Sequence, residues 1–258
     1  MANVAMNLAT MIRPRPAWGA WATLCMALAL PPGAGAQASA PRPGSYETEG
    51  GWGQLTIKSG NRPGTLGFSI EAIGGNAHTC SVGGTLQGDR GVADDETGPE
   101  ACAIRFTARG DRIEVKPLTP ENCRTFCGAR ASFDGTYLLP PEGCHPAQRK
   151  ARRAAFLSAY QARRHAEALS TLSAFQRECG ALLSWLEVDR VRNDLAVTLH
   201  HLGRDDECLA QLKATRGAQW STEAEVREGL PPSDADAYLS VAKATWTNQR
   251  LCGRKPGG

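Results

Sequence analysis

Histidine is the side chain best suited to metal binding and to acid–base chemistry, and this chain contains five of them. A zinc site needs three or four ligands at workable spacing, and only His200 and His201 are close in the sequence. Adjacent residues on a helix point about 100° apart, so one helix face cannot present both. The sequence therefore predicts no metal site and no cofactor. The five histidines are His78, His145, His165, His200 and His201.

Nucleophile and phosphate-binding motifs are the other common signs of catalysis. The sequence contains neither a Gly-x-Ser-x-Gly elbow nor a glycine-rich phosphate loop. An enzyme would need a less obvious cluster, such as His78 with Asp94 or Asp95. Cys80 lies two residues from His78, but a cysteine held in a disulfide cannot be a nucleophile. We therefore predict a protein that is not an enzyme and assign no catalytic residue.

Cysteines carry the strongest signal in the chain, which has nine of them. Cys25 lies in an apolar stretch near the start, and the other eight follow it. An even number of cysteines after an export signal indicates about four disulfides formed in an oxidising compartment. The eight disulfide candidates are Cys80, Cys102, Cys123, Cys127, Cys144, Cys179, Cys208 and Cys252.

Residues 1–38 have the three parts of a secretory signal peptide. Arg13 and Arg15 are its basic part, residues 17–30 are its apolar part, and small residues at 34–38 fit cleavage before Gln37 or Ser39. The apolar part is shorter than the roughly 20 residues that span a bilayer. We therefore predict a periplasmic or secreted protein with no transmembrane segment after signal removal.

Charge and residue composition divide the rest of the chain into two predicted domains, residues 44–144 and residues 145–258. The first has 9 basic and 13 acidic residues, a net charge of −4, and the second has 17 and 13, a net charge of +4. These opposite charges allow the two domains to dock on each other. The whole chain has a net charge of only +3, which argues against a nucleic-acid partner for an exported protein.

The first domain is predicted to be all β. Short runs with alternating polarity, bounded by turn residues, indicate seven or eight strands and a small antiparallel barrel or sandwich. Cys80 and Cys102 lie in neighbouring runs, so we expect them to pair. Cys123 and Cys127 then leave Cys144, which either bonds into the second domain or lies beyond the boundary. The expected runs are 54–58, 66–73, 78–82, 85–87, 91–93, 102–107, 112–115 and 134–137.

Several segments of this domain resemble small cysteine-rich β domains of exported bacterial proteins, some of which are labelled lysozyme-inhibitor-like. The resemblance covers residues 44–144 and is most specific in Cys123-Arg-Thr-Phe-Cys-Gly-Ala-Arg-Ala131. It implies a periplasmic β domain with a binding role. Ser59 and Gly60 match the start of the Ser-Gly-x-x-Tyr loop of c-type lysozyme inhibitors, but Pro63 stands in place of the Tyr.

The second domain is predicted to be all α, with helices over 147–163, 165–179, 182–202, 205–214, a short one after Ser221, and 233–250. Residues 159–169 align with 198–209 at a spacing of 40 residues, which places Ala168 and Cys208 at equivalent small-residue positions. This pattern resembles tetratricopeptide-type helical hairpins, and a generic helical bundle is the alternative. We expect Cys179 to pair with Cys208, and Cys144 with Cys252. Overall the expected fold class is α+β.

These features favour an exported, non-enzymatic binding or adaptor protein that recognises a protein or another envelope component. Tetratricopeptide-type stacks bind peptides on a concave face, where the candidate residues are Tyr160, Arg192, Asn193 and Asn248. The alternative is an inhibitor of a cell-wall hydrolase such as lysozyme, acting through β-domain loops that include Ser59 and Arg62. A basic run at residues 149–153 would meet an anionic envelope polymer or the acidic first domain, unless it is simply a solvated helix face.

Overall fold

Eight antiparallel strands, each hydrogen-bonded to the next in chain order, close into a barrel when the last strand pairs with the first. The computed structural model describes residues 40–94 and 100–253. The expected export signal, its Cys25 and Asp95 lie outside the described residues. The strands are β1 Gly44–Thr48, β2 Gly53–Ser59, β3 Leu66–Ile73, β4 Thr79–Gln87, β5 Arg90–Ala93, β6 Ala103–Arg109, β7 Arg112–Pro117 and β8 Gly135–Leu138.

The barrel interior is filled by the alternate side chains of its strands, as the period of two requires. Phe68 and Phe106 meet at its centre, with ring centroids 5.0 Å apart. The expected antiparallel barrel is therefore confirmed in preference to a sandwich. The sequence indicated two runs, 78–82 and 85–87, where the structure has the single strand β4. Gly84 allows a close approach of strands, since a Cβ there would lie 2.1 Å from the Val92 carbonyl oxygen.

Two disulfides stabilise the barrel, and they join Cys80 to Cys127 and Cys102 to Cys123. The expected pairing of Cys80 with Cys102 is wrong. Cys80 lies on β4 and Cys102 just before β6, and β5 separates those two strands. Cys127 instead bridges to Cys80 at the backbone, from the segment that follows the short helix α1 (Pro120–Cys123). Cys80 and Cys102 therefore lie in runs that are close in the sequence but not on adjacent strands of the barrel.

Six further helices form the C-terminal region. They are α2 Pro146–Gln161, α3 His165–Cys179, α4 Trp185–His201, α5 Asp205–Lys213, α6 Glu223–Gly229 and α7 Pro232–Cys252. The helix α4 begins three residues later than expected because Ser184 caps it. The Ser184 side chain accepts a hydrogen bond from the Glu187 N–H, and the Glu187 carboxylate accepts one from the Ser184 N–H. None of the helices within the described residues is long and apolar enough to cross a membrane.

The helical region has its own two disulfides, Cys144–Cys179 and Cys208–Cys252. The expected pairings of Cys179 with Cys208 and of Cys144 with Cys252 are therefore wrong. Cys144 precedes α2 and Cys179 ends α3, so both lie at the open end of one helix hairpin. Cys208 is fully buried in α5, which packs against α7, where Cys252 lies. Of the two fates considered for Cys144, the bond into the helical region is confirmed.

The hairpins α2–α3 and α4–α5 turn in the same way at equivalent positions. Arg163 and Gly203 both have a positive φ, of 58° and 71°. The residue after each forms an ion pair with a glutamate three positions further on, Arg164 with Glu167 and Arg204 with Glu207. The turn geometry thus reproduces the internal alignment. The relation to tetratricopeptide hairpins stays a prediction.

Two hairpin loops of the barrel contact the helices. In the β1–β2 turn, Gly50 donates a backbone hydrogen bond of 2.8 Å to the Ala181 carbonyl. In the β3–β4 loop, the Asn76 side chain accepts a 3.0 Å hydrogen bond from the Ser233 N–H in the first turn of α7. The Asn76 N–H in turn donates to the Asp234 carboxylate at 3.1 Å. These hydrogen bonds therefore fix the position of the helices against the barrel.

Candidate functional site

Two of the four residues expected on the concave helical face meet inside the helical region. Asn193 is 5% exposed and donates to the Thr245 hydroxyl at 2.9 Å. The Asn248 amide donates to the Asn193 side-chain oxygen at 3.0 Å. Arg192 donates to the Ala214 carbonyl, so its guanidinium also has an internal partner. These three side chains join α4 to its neighbours, and their expected role in partner binding stays a prediction.

Tyr160, the fourth of these residues, lies apart from them at the end of α2. Its hydroxyl is 3.1 Å from the His201 Nε2, and the His201 ring stacks on His165 with centroids 4.5 Å apart. Burial, followed by the positive charge of neighbouring basic groups, lowers the pKa of His201. The structure thus places Tyr160 in a surface aromatic cluster that the sequence did not indicate.

The histidines do not form a complete metal site within the described residues. Within the described residues, the one group of three possible ligand atoms closer than 4.8 Å consists of His200, Asp205 and Cys252. The Cys252 sulfur is bonded to Cys208, so it cannot bind a metal as a thiolate. The His200 Nδ1 lies 2.6 Å from the Asp205 carboxylate, which makes this pair a local contact at the start of α5.

His78 and Asp94, which we considered as part of a catalytic cluster, contact different residues. A Cβ at Gly128 would lie 2.6 Å from the His78 Nδ1, so the imidazole packs on that glycine. The Asp94 carboxylate is 3.4 Å from the Thr85 hydroxyl, across the β4–β5 pair. His78 thus packs in the loop between β3 and β4, and Asp94 lies just beyond the end of β5.

A basic groove of about 420 Å³ runs between α2 and α4. Its cationic side chains are Arg149, Lys150 and Arg153 on α2 and Arg190 on α4. Its apolar floor is made of Phe175, Leu183 and Val191, and Pro146 and Glu187 complete the lining. A groove with an apolar floor and charged walls suits a ligand that has both apolar and anionic groups.

Several arginines of the basic run are neutralised by acids. Arg152 pairs with Glu178 at 2.8 Å, and Arg153 pairs with Asp194. Burial raises the pKa of Asp194 in spite of the opposing effect of Arg153. The second guanidinium nitrogen of Arg153, Nη1, is buried and has no hydrogen-bond acceptor. The Arg153 guanidinium also lies over the Phe156 ring, 5.4 Å from its centroid, so Nη1 is an unsatisfied donor in the wall of the basic groove.

Lys150 and Arg190 differ from those arginines because they are exposed and have no ion-pair partner among the described residues. Glu187, the acid that shares the groove, is occupied by capping Ser184. Capping leaves the Glu187 carboxylate charged, so the groove has a net charge of +1 once Glu47 and Asp194 are counted, and Lys150 and Arg190 are its two cations without an ion pair. The sequence indicated the run at 149–153, but it did not indicate that Arg190 would lie opposite that run.

A second depression, the barrel–helix cleft, lies between the outer barrel wall and α2, and its volume is about 410 Å³. It adjoins the basic groove, with which it shares Pro146 and Arg149. Its other main side chains are Glu47, Trp52, Gln54, Glu71, Ile73 and Ser81.

Glu47 is the least expected residue of this cleft because it is a buried carboxylate, 6% exposed. One oxygen accepts a 2.7 Å hydrogen bond from the Arg149 guanidinium, which joins the barrel to α2. The other oxygen, Oε1, is buried and has no hydrogen-bond partner. Its position on β1 alternates with the inward-facing Tyr46, so the Glu47 side chain lies on the outer face of the barrel. Only the docking of α2 buries it.

The expected inhibitor loop borders a third depression, of about 730 Å³, on the barrel surface. Ser59, Arg62 and Lys58 line it together with Asp94. The loop is closed by a hydrogen bond from the Gly60 N–H to the Thr65 carbonyl at 3.0 Å. A Cβ at Gly60 would lie 2.5 Å from the Thr65 hydroxyl, so the closure requires glycine.

No protein-family model, no curated protein and no solved structure matches this chain. A function for this chain is therefore inferred from the surfaces described above.

Proposed function

We propose that this chain is an exported binding protein that recognises a protein or another envelope component through its basic groove. The observation that carries the proposal is the pair Lys150 and Arg190, two exposed cations that face one apolar groove without acidic partners in residues 40–94 and 100–253. Four disulfides are compatible with an oxidising compartment. The expected ligand is an acidic segment with apolar side chains.

The contacts of the groove support this choice of ligand. A carboxylate of the ligand would accept from the buried Nη1 of Arg153, which has no other acceptor. Lys150 and Arg190 would add charge attraction at the rim, and such exposed pairs each contribute about 0.5 kcal/mol. Phe175 and Val191 on the floor would bury apolar side chains of the ligand.

The test compares two charge-reversal variants of the oxidised full chain. Lys150→Glu/Arg190→Glu reverses the groove, and Lys58→Glu/Arg62→Glu reverses two exposed cations on the barrel that also lack ion-pair partners in the described chain. A fluorescent peptide of alternating Glu and Leu is the probe. We expect the groove variant to bind it at least tenfold more weakly than the wild type, and the barrel variant to bind within twofold. Equal binding by all three proteins would refute the groove proposal.

The same three proteins then serve as bait in an envelope extract. Components retained by the wild type and by the barrel variant, but lost with the groove variant, are candidate partners. If the wild type and the groove variant retain the same components equally, the result counts against the proposal.

A second candidate function is inhibition of a cell-wall hydrolase such as lysozyme, and the barrel depression favours it. Lys58 and Arg62 place two cations beside the closed loop at Ser59, where they could face the catalytic carboxylates of a glycoside hydrolase. Inhibition of cell-wall lysis by the wild type, abolished in Lys58→Glu/Arg62→Glu and unchanged in the groove variant, is the result that this function requires. If the wild type does not reduce cell-wall lysis, this second function is excluded.

A further inference from the structure

The barrel–helix cleft contains a carboxylate oxygen that lacks a hydrogen bond. Glu47 is more than nine-tenths buried, and its Oε1 has no partner, whereas its second oxygen binds Arg149. A buried charged oxygen without a donor loses hydration and gains nothing in exchange. A ligand that brings an N–H or O–H group to this oxygen would restore the missing interaction.

The charges around this oxygen favour a cation over a neutral donor. Glu71 is exposed in the same cleft and has no ion pair in the part of the chain that the structure describes. It occupies the middle of a row across three strands, between Gln54 and Ser81, which are its partners in the strand pairing. The cleft lining therefore contains two carboxylates and one guanidinium, that of Arg149, so its net charge is −1.

Apolar side chains complete the cleft. Trp52 is half-buried, packs edge-on against Tyr137 with centroids 6.1 Å apart, and is backed by Gly135. Ile73 is 62% exposed, which is the highest exposure among the large hydrophobic residues described. An aliphatic stem would pack on such a surface while its charged end stays polar, and an indole also attracts cations.

We propose that the barrel–helix cleft binds a basic side chain, the ammonium of a lysine or the guanidinium of an arginine, presented by a polypeptide partner. The cationic group donates a hydrogen bond to the Glu47 Oε1, Glu71 attracts its charge, and its stem packs against Trp52 and Ile73. The cleft and the basic groove meet at Arg149 and have opposite charge. A partner that has an acidic and a basic side chain a few residues apart would therefore fill both, and to that extent the inference rests on the proposed function.

The test uses the oxidised, ¹⁵N-labelled full chain and the peptide acetyl-Gly-Lys-Gly-amide. The same peptide with its lysine ammonium acetylated is the control, because it keeps the stem and an N–H donor but loses the charge. We expect saturable NMR shifts of the Trp52 indole N–H and the Gly53 amide with the first peptide, at a dissociation constant of about 1 mM. Binding of the acetylated peptide should be at least tenfold weaker. Equal binding of both peptides, or no saturable shift by about 10 mM, would overturn the proposal.

Variants locate the binding. Glu47→Gln should weaken binding at least tenfold, and Glu71→Gln about threefold. Glu121→Gln is the matched control, since Glu121 is an exposed barrel-domain carboxylate that lies outside the cleft and has no ion pair in the described residues. If Glu47→Gln impairs folding, Glu71→Gln decides alone because its side chain is exposed. Unchanged affinity in Glu71→Gln then overturns the proposal.

The result of the lysine-peptide test does not depend on the basic groove. Glu71→Gln leaves the Glu–Leu peptide binding unchanged, and Lys150→Glu/Arg190→Glu leaves the lysine-peptide shifts of Trp52 in place. A failure of the groove and a failure of the cleft can therefore be told apart.

Discussion

Arg163 and Gly203 occupy the same position in two successive helix hairpins, and both have left-handed backbone conformations. Glycine adopts a positive φ without strain, whereas an arginine there is strained by roughly 1 kcal/mol. One hairpin therefore has the favoured residue at its turn, and the other does not.

Arg163→Gly should accordingly stabilise the protein, by about 0.5 kcal/mol once the greater freedom of glycine in the unfolded chain is subtracted. The free energy of unfolding in urea measures this. The converse change, Gly203→Ala, should destabilise by about 1 kcal/mol. Ser158→Gly, at an exposed position inside α2, is the control and should lower stability. A loss of stability in Arg163→Gly similar to that in the control would contradict the expectation.

Asn76 joins the barrel to α7, whose own N-cap residue, Pro231, provides no side-chain cap. Asn76→Ala removes the acceptor for the Ser233 N–H and puts alanine at a φ of 58°. We expect a loss of about 1–2 kcal/mol in the free energy of unfolding. Asn61→Ala, in the exposed β2–β3 loop, should change it by less than about 0.5 kcal/mol. Equal effects of the two substitutions would show that Asn76 does not act as a cap.

The Cys208–Cys252 disulfide closes a loop with a sequence separation of 44 between α5 and α7. Replacing both cysteines with alanine frees the unfolded chain from this closure and should lower stability by about 2–4 kcal/mol. Urea unfolding of the oxidised proteins gives the difference. Adding a reductant should then destabilise the wild type by more than the variant, which has one bond fewer to lose. A variant as stable as the wild type would mean that packing alone holds α5 on α7.

The stacked pair His165 and His201 predicts a stability that depends on pH. The pKa of His201 is lowered in the folded protein, mainly by burial, so the unfolded chain binds this proton more tightly. Its contribution to stability is therefore present above about pH 6.5 and is lost as the pH falls through the folded-state pKa. The wild type should lose more melting temperature between pH 7.5 and pH 5.5 than His201→Gln does. An equal loss of melting temperature in His201→Gln and in the wild type would contradict this expectation.

The sequence predicted the β barrel and the helices well, because alternation, helical spacing and turn residues are local signals. The disulfide pairs depended on which strands and helices become neighbours, and that is a property of the packed chain. Cys80 bonds to Cys127 across a gap of 47 residues for this reason.

The candidate site was predictable only in part, for the same physical reason. The cations at 149–153 were visible as a run, but Arg190 joins them only when α4 packs beside α2. Glu47 had no signal, because an outward position on β1 becomes buried only under α2. Asn193 and Asn248 looked like surface amides, yet they bond to each other between α4 and α7.

If the chain is exported, as we propose, its disulfide connectivity also restricts the order in which its thiols can be oxidised correctly as it emerges from the export channel. Cys144–Cys179 and Cys208–Cys252 each join cysteines that are consecutive in the sequence, so an oxidase acting on thiols in order of appearance forms both correctly. Cys80–Cys127 encloses Cys102–Cys123, and an oxidase acting in that order would first join Cys80 to Cys102. The barrel, unlike the helices, therefore depends on thiol exchange by a disulfide isomerase or on a delay in oxidation until Cys127 has emerged.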